Sequence, residues 1–253
     1  MKIGFCFLVK EGISNEIYWS HFFKSAKKDS YKIYVHAKTP FVNTILENVS
    51  IDANPLETEW ASISLVHATK RLIDTAFNDQ CDSVVFISGD TLPLWNFKVI
   101  HRLCCETIFS LQSEDNLNQK QINQKYREHK RIRSFYQLNE EFKLTKQHMF
   151  FSIKKGDYDL LRDIRIDDFP GKEVPDEYFW SNHLLMKGCM IEDNKFIFTN
   201  DDPTKTQALS WNIDCNLLQY ARSRSFLFIR KVTGFVDEYS RSYYTTILSQ
   251  SNI

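Results

Sequence analysis

A proline followed by two neighbouring carboxylates is the segment of this chain best suited to acid–base chemistry. Pro175–Glu177 precedes the apolar-faced stretch Tyr178–Leu185, which predicts a helix. A carboxylate at a helix start lies beside unpaired backbone N–H groups and can point into a cleft. Asp176 or Glu177 is therefore placed to act as a general base. The alternative is that both acids only favour the positive end of the helix dipole.

Composition excludes several classes of protein. The chain has 253 residues, and its 32 Lys and Arg balance its 32 Asp and Glu, so a nucleic-acid partner or a basic membrane-binding surface is not expected. No apolar run is long enough to cross a bilayer. Met1–Lys10 is apolar but has no cleavage site, and the six cysteines show no CxxC spacing. We expect a soluble cytoplasmic protein with reduced thiols.

Apolar runs alternate with helical patterns along the first hundred residues. This order of strand, helix, strand, helix, strand predicts the doubly wound α/β class, with a mostly parallel sheet and helices on both faces. No Pro/Gly/Ser-rich linker divides the sequence, so we expect a single domain. The predicted elements are the strands 2–9, 31–37, 83–88, 146–153 and 195–199 and the helices 15–28, 62–77 and 157–164.

The carboxyl ends of the first three strands are where such a sheet binds ligands. They read Lys10-Glu11-Gly12, His36-Ala37-Lys38 and Ser88-Gly89-Asp90-Thr91. None is a GxGxxG fingerprint or a P-loop, so neither glycine motif would hold a nucleotide here.

Residues 113–141 are mostly polar and include the basic run Tyr126–Arg133. Such a run can bind phosphate, but a solvated helix or a loop over an active site is more typical. We predict a loop.

Several motifs occur in the order that is characteristic of one known family. The chain resembles the core-2/I-branching glycosyltransferases, with their plant relatives and the peptide O-xylosyltransferases. The resemblance covers most of the chain, and no single motif decides it. The matching segments are FCFLVKEG, YWSHFFKS and YKIYVHAK near the N-terminus, then ETEWASISLVHATKRLI, SVVFISGDTLPLWNF, the weaker KQHMFFSIKK, PDEYFW and FLFIRKV.

This resemblance implies a glycosyltransferase-A fold and an inverting transfer of a sugar from a UDP-sugar to a hydroxyl of a glycan. GlcNAc is the first donor sugar to consider, with xylose and glucuronate as alternatives. Residues 1–112 would bind the nucleotide sugar, residues 142–253 would hold the acceptor and the catalytic group, and residues 113–141 would lie over the site.

Neither a metal nor another cofactor is expected. Metal-dependent enzymes of this fold carry Asp-x-Asp at the end of the central strand, where this chain has only Asp90. Asp157-Tyr158-Asp159 has that spacing but lies in a predicted helix and is expected at the solvated surface, and Asp201-Asp202 is the remaining metal candidate.

By the resemblance, Glu177 matches the catalytic base, with Asp176 as the alternative base and as an acceptor contact. Lys231 matches a conserved-motif lysine that neutralises the leaving diphosphate, and Arg230 precedes it. Lys205 is our candidate for the second cation of the diphosphate site.

The resemblance also locates the two substrates. The acceptor would contact Gln147 and His148, where this chain lacks the family's Gly-Ser, so acceptor choice is expected to differ. Trp180 is expected in the core and not as a sugar platform. The donor would lie against residues at the strand ends and before the second helix, namely Val9, Lys10, His36, Glu59, Trp60 and Asp90.

Two other readings stay open. The chain can be a carbohydrate- or nucleotide-binding protein that kept the fold without the reaction, although such a protein needs no base at Glu177. It can also be a metal-dependent transferase using Asp90 or Asp202. Animal members of the family have a membrane anchor, a stem and disulfides. This sequence shows none of these features, and we expect a minimal catalytic domain of bacterial or viral origin.

Overall fold

A six-stranded sheet forms the centre of the fold. The computed structural model describes residues 1–40, 44–112, 117–191, 195–199 and 210–249. The strand order across the sheet is β3-β2-β1-β4-β7-β6. Its strands are β1 (Ile3–Val9), β2 (Tyr31–Ala37), β3 (Val49–Ile51), β4 (Ser83–Ser88), β6 (Ile108–Leu111) and β7 (Gln147–Lys154).

Five of the six strands run in one direction. The ladders joining β1 to β2, β2 to β3 and β1 to β4 are parallel, whereas β7 is antiparallel to both β4 and β6. The predicted α/β class with a mostly parallel sheet is confirmed. The antiparallel direction of β7 was not predicted, because a short apolar run does not reveal the direction in which it pairs.

Helices cover the sheet on both faces. Neighbouring residues of a strand point to opposite faces. Phe5 of β1 stacks edge-on against Trp19, whereas the thiol of the adjacent Cys6 faces the Leu72 carbonyl. The helices are α1 (Glu16–Phe23), α2 (Ile63–Asn78), α3 (Phe97–Leu103), α4 (Gln119–Tyr136), α5 (Lys155–Asp159), α6 (Phe179–Met186), α7 (Cys215–Ser223) and α8 (Glu238–Ser249).

The polar segment contains a helix where we predicted a loop. Asn118 and Gln121 form a reciprocal capping box at the start of α4, which pairs two backbone N–H groups. The Lys, Arg, Gln and Glu residues that make this segment polar are also good helix formers. Glu128 and Ile132 are the residues of α4 that are buried against the rest of the protein. Few apolar contacts therefore suffice to hold this helix in place.

Other predicted elements are shorter in the structure. The helix expected over 15–28 ends at Phe23, the helix expected over 157–164 is the single turn α5, and the late strand starts at Ile197. Tyr158, which we expected at the surface, is buried and donates to Asp74. The division of the chain into a donor half and an acceptor half stays a prediction.

The C-terminal part packs back onto the first half. β10 (Phe228–Arg230) pairs with β5 (Leu92–Pro93) and β8 (Ile197–Thr199), and β11 (Val232–Phe235) pairs with β9 (Trp211–Ile213). The Val232 N–H donates to the Asp90 carbonyl at 2.8 Å, and its own carbonyl accepts from Asn15 at 2.9 Å. These bonds bring the junction of β10 and β11 to the end of β4.

Two further expectations concern membranes and thiols. In the described ranges, no helix is both long enough and apolar enough to cross a bilayer. All six cysteines are free thiols in the structure.

Candidate active site

Most of the predicted site residues that the structure describes lie at one edge of the central sheet. The parallel strands β1, β2 and β4 end there, and so β7, which is antiparallel to β4, begins there. The ladder pairs Ser83 with Lys154 and Phe86 with Phe151, and its continuation sets Gln147 just beyond the end of β4. This is the edge at which open α/β sheets bind ligands.

Glu177 lies at this edge in an ion pair with Lys146. The Lys146 Nζ is 3.0 Å from Glu177 Oε2, and the side chains are 5% and 23% exposed, respectively. The ammonium also lies 6.0 Å from the ring centre of Tyr178. Glu177 thus combines a fixed orientation with partial access to solvent, as a general base requires. Lys146 was not among the predicted site residues, because nothing in a single lysine before a strand indicates its partner.

A set of polar bonds fixes this pair. The Gln147 side chain accepts from the Ser181 N–H at 2.7 Å, and the Asn182 side chain bonds to both the N–H and the carbonyl of Thr145. The first turn of α6 is therefore tied to the residues on either side of Lys146. The predicted helix start is a separate 3-10 turn, Pro175–Glu177, directly before α6.

Asp176 has a different environment from its neighbour. It is only 6% exposed, and its Oδ1 has no hydrogen-bond partner among the described residues. Burial, and then the charge of Glu177, raise the pKa of Asp176 to about 7. An acceptor contact by Asp176 stays a prediction.

Arg230 and Lys231 lie beside the end of β4. Arg230 Nε is 3.4 Å from Asp90 Oδ1, and its guanidinium lies 4.6 Å from the ring centre of Phe150 in β7. No carboxylate of the described residues lies within ion-pair distance of Lys231. Burial, and then the neighbouring Arg230, lower the pKa of Lys231. The charge of Asp90 opposes this fall in pKa, but makes no ion pair with the ammonium. A half-buried ammonium without a direct ion pair is a suitable partner for a diphosphate.

The strand-end residues predicted to bind the donor differ in their availability. Val9 is buried, and Lys10 is exposed and lies 3.1 Å from Glu11. His36 is buried, its Nε2 accepts from the Leu56 N–H at 2.9 Å, and burial lowers its pKa. The His36 side chain is therefore engaged by the protein itself, and its donor role stays a prediction.

Glu59 and Trp60 lie on the turn before α2. Both side chains are exposed, and Trp60 is the more notable because 65% of its surface is accessible. A large exposed aromatic side chain is a typical contact surface for a ligand.

The residues predicted to contact the acceptor lie at the start of β7. Gln147 is fully buried, and its amide holds α6 in place as described above. His148, the next residue, is partly exposed. Trp180 is buried against Phe151, in the core as expected.

Three predicted positions fall outside the described residues, namely Lys205 and the acids Asp201 and Asp202. In the ranges that are described, no group of three or more His, Cys, Asp or Glu side chains is arranged to hold a metal ion. Asp157 and Asp159 bond instead to Thr107 and Lys155.

The basic run on α4 contacts other parts of the protein. Arg127 forms a two-bond fork with Glu173, at 3.1 and 3.0 Å, and Arg131 pairs with the buried Glu128. A groove of about 820 Å³ lies between α4 and the chain leading to Glu177. It is lined by Arg127, Lys130, Arg131, Ser134, Phe135, Asp167, Asp168, Phe169, Pro170 and Lys172.

Comparison with known proteins identifies the family. Residues 3–160 match the Core-2/I-Branching enzyme family, which is more than half of the chain. The chain belongs to the core-2/I-branching enzyme family. The matched range includes the carboxyl ends of β1, β2 and β4 and also Lys146. It ends before Glu177, Arg230 and Lys231, whose assignments rest on the motifs PDEYFW and FLFIRKV.

A curated relative supports the same family. The chain is 26% identical over 104 residues to Glycosyltransferase BC10 of Oryza sativa subsp. japonica. That match covers 38% of this chain and 26% of the rice protein, so the chain spans about a quarter of its relative's length. The predicted family is confirmed, and the mixed α/β sheet is consistent with the glycosyltransferase-A architecture expected of it.

Proposed function

We propose that this core-2/I-branching protein is an inverting glycosyltransferase that moves a sugar from a UDP-sugar to a hydroxyl of a glycan. The observation that carries the proposal is the arrangement at the sheet edge. A partly exposed Glu177 is held by a buried lysine, while the half-buried Lys231 lies at the end of β4 without a carboxylate at ion-pair distance among the described residues. The likeness to a plant glycosyltransferase supports it.

Glu177 would act as the general base. Its carboxylate takes the proton from the acceptor hydroxyl as that oxygen attacks the anomeric carbon of the donor. The bond from this carbon to the diphosphate breaks on the opposite face, so the configuration inverts. General bases in such sites typically contribute about 10²–10⁴-fold to the rate.

Side-chain cations would neutralise the leaving diphosphate. Lys231 makes no ion pair with a carboxylate of the described residues, and Arg230 can exchange its long contact with Asp90 for a phosphate oxygen. The pairing of Asp90 with an arginine supports charge neutralisation without a divalent metal.

The acceptor would extend from Glu177 into the groove beside α4. The segment 166–174 forms one wall of that groove and leads directly into Pro175–Glu177. Its volume lies in the range of typical ligand sites, about 300–1,000 Å³. Paired arginines and two phenylalanines offer a glycan both hydrogen-bond donors and apolar ring faces.

A panel of nucleotide sugars tests the donor site. We expect one of UDP-GlcNAc, UDP-xylose and UDP-glucuronate to raise the Tm of the protein. The rise should be the same in EDTA as in manganese, because the cations that neutralise the diphosphate are side chains. Lys231→Met should reduce that rise, and Lys98→Met, an exposed lysine on α3, should leave it unchanged. A rise that needs manganese would contradict metal independence, and no rise with any nucleotide sugar would contradict the donor site.

A further inference from the structure

Lys146 is a buried cation whose ion pair is made with Glu177. It directly precedes β7, is 5% exposed, and lies 3.0 Å from Glu177 Oε2. A buried ammonium is costly unless a carboxylate pairs with it. This lysine therefore constrains the charge of the carboxylate beside it.

Two carboxyl groups share this one cation. Glu177 is partly exposed and paired, whereas Asp176 is more deeply buried and has an unpartnered Oδ1 among the described residues. With a single positive charge available, ionising both acids leaves an uncompensated buried charge. The two acids should therefore differ in protonation, and the raised pKa of Asp176 agrees with this.

We infer that Lys146 is a positioning residue that keeps Glu177 ionised and oriented, so that the neighbouring Asp176 holds the proton. This inference rests on the proposed role of Glu177. The lysine binds Oε2 and leaves Oε1 for the acceptor hydroxyl. When Glu177 accepts that proton it becomes neutral beside an ammonium, and the proton leaves to solvent through the exposed part of the carboxyl group.

Other charged groups near the turn are already engaged or oriented elsewhere. Glu128 pairs with Arg131, Glu173 pairs with Arg127, and His129 packs its ring against Tyr178. His183 on α6 bonds to Tyr136 and Phe179. On α2, which also packs against this turn, the charged side chains are paired, namely His67 with Asp167, Lys70 with Asp74 and Arg71 with Asp52.

The test is the pH dependence of kcat/KM for sugar transfer in variants of Lys146. Lys146→Met and Lys146→Gln should move the acid limb of this pH profile to higher pH by roughly one unit or more. The reason is that the Glu177 carboxylate loses an opposite charge within hydrogen-bonding distance. Lys146→Arg should keep the limb near its wild-type position. The Tm rise caused by UDP-sugar should be unchanged in all three.

A double variant separates this role from simple structural support. Lys146→Met/Glu177→Gln should be no slower than Glu177→Gln alone, because the lysine acts through that carboxylate. If Lys146→Met does not fold, the Gln and Arg variants carry the test. An acid limb that stays at its wild-type pH in the folded uncharged variants would overturn the inference. A fully active Glu177→Gln would overturn the proposed function instead.

Discussion

At the scale of single residues, the site separates two adjacent carboxyl groups by environment. Successive residues of a tight turn point in different directions, so Asp176 turns into the protein while Glu177 meets Lys146 and solvent. The sequence indicated a pair of acids but not this difference. It depends on residues thirty positions earlier that only the fold brings near.

Asp176 should leave a signature in the pH dependence of stability. Burial raises its pKa to about 7, so the folded protein keeps a proton that the unfolded chain loses near pH 4. This contribution to the free energy of unfolding is present at low pH and is lost as pH rises from about 4 to about 7. Asp176→Asn does not titrate, so its Tm minus the wild-type Tm should become more positive from pH 5 to pH 8.

Subtracting the wild-type Tm from the Tm of Asp176→Asn removes the effect of groups that titrate in both proteins. Burial lowers the pKa of His183 to about 4, which gives the opposite slope, but both proteins share it. A difference in Tm that stays constant over this pH range would show that Asp176 is ionised throughout.

At the scale of elements, α4 is fixed by a buried carboxylate to the segment that leads to Glu177. Glu128 is fully buried, pairs with Arg131 and accepts from the Lys172 N–H at 2.9 Å. Glu128→Ala should cost about 1–3 kcal/mol of folding free energy, because the Lys172 N–H and the Arg131 guanidinium lose their buried acceptor. Chemical denaturation measures this. Glu140→Ala, whose side chain is 94% exposed, should change stability by less than about 0.5 kcal/mol.

The groove beside α4 gives a second prediction at this scale. Ser134 is exposed and lines the groove, so Ser134→Trp should fill it and raise the KM for a glycan acceptor. The Tm rise caused by UDP-sugar should stay the same. Ser25→Trp, on the turn after α1, is the matched control. An unchanged acceptor KM would show that the acceptor lies elsewhere.

The elements differ in how well the sequence predicts them. β1, β2 and β4 are apolar runs between turn signals, and α2 has a clear apolar stripe with a serine cap, so all four were predicted closely. α4 lacks such a stripe, since its only fully buried side chains are one isoleucine and one glutamate. The direction of β7 depends on tertiary pairing, which local patterns do not contain.

At the scale of the whole molecule, distant motifs meet because the C-terminal part folds back over the first sheet. The Tyr244 hydroxyl, fully buried on α8, donates to the Pro93 carbonyl at 2.7 Å. Family motifs gave the order of the site residues, but not this contact or the pairing of Arg230 with Asp90. Those depend on packing between segments more than a hundred residues apart.

Tyr244→Phe should therefore destabilise both parts of the chain together. It leaves a buried carbonyl unpaired, which costs about 1–3 kcal/mol. Unfolding followed by far-UV circular dichroism and by tryptophan fluorescence should give coincident transitions in the wild type and in the variant. Tyr239→Phe, at an exposed tyrosine on the same helix, should have little effect. Separate transitions would show that the two parts unfold independently.

Sugar transfer by the wild type and by Glu177→Gln, measured side by side, tests most directly whether Glu177 is the general base. Labelled UDP-sugars are offered with a panel of glycan acceptors in EDTA, and donor binding is measured in the same samples. The wild type should transfer one sugar, and Glu177→Gln should bind the donor equally well but transfer it about 10²–10⁴-fold more slowly. Equal transfer by both proteins would contradict the role of Glu177. Donor binding without transfer by the wild type to any acceptor would favour a binding protein on this fold.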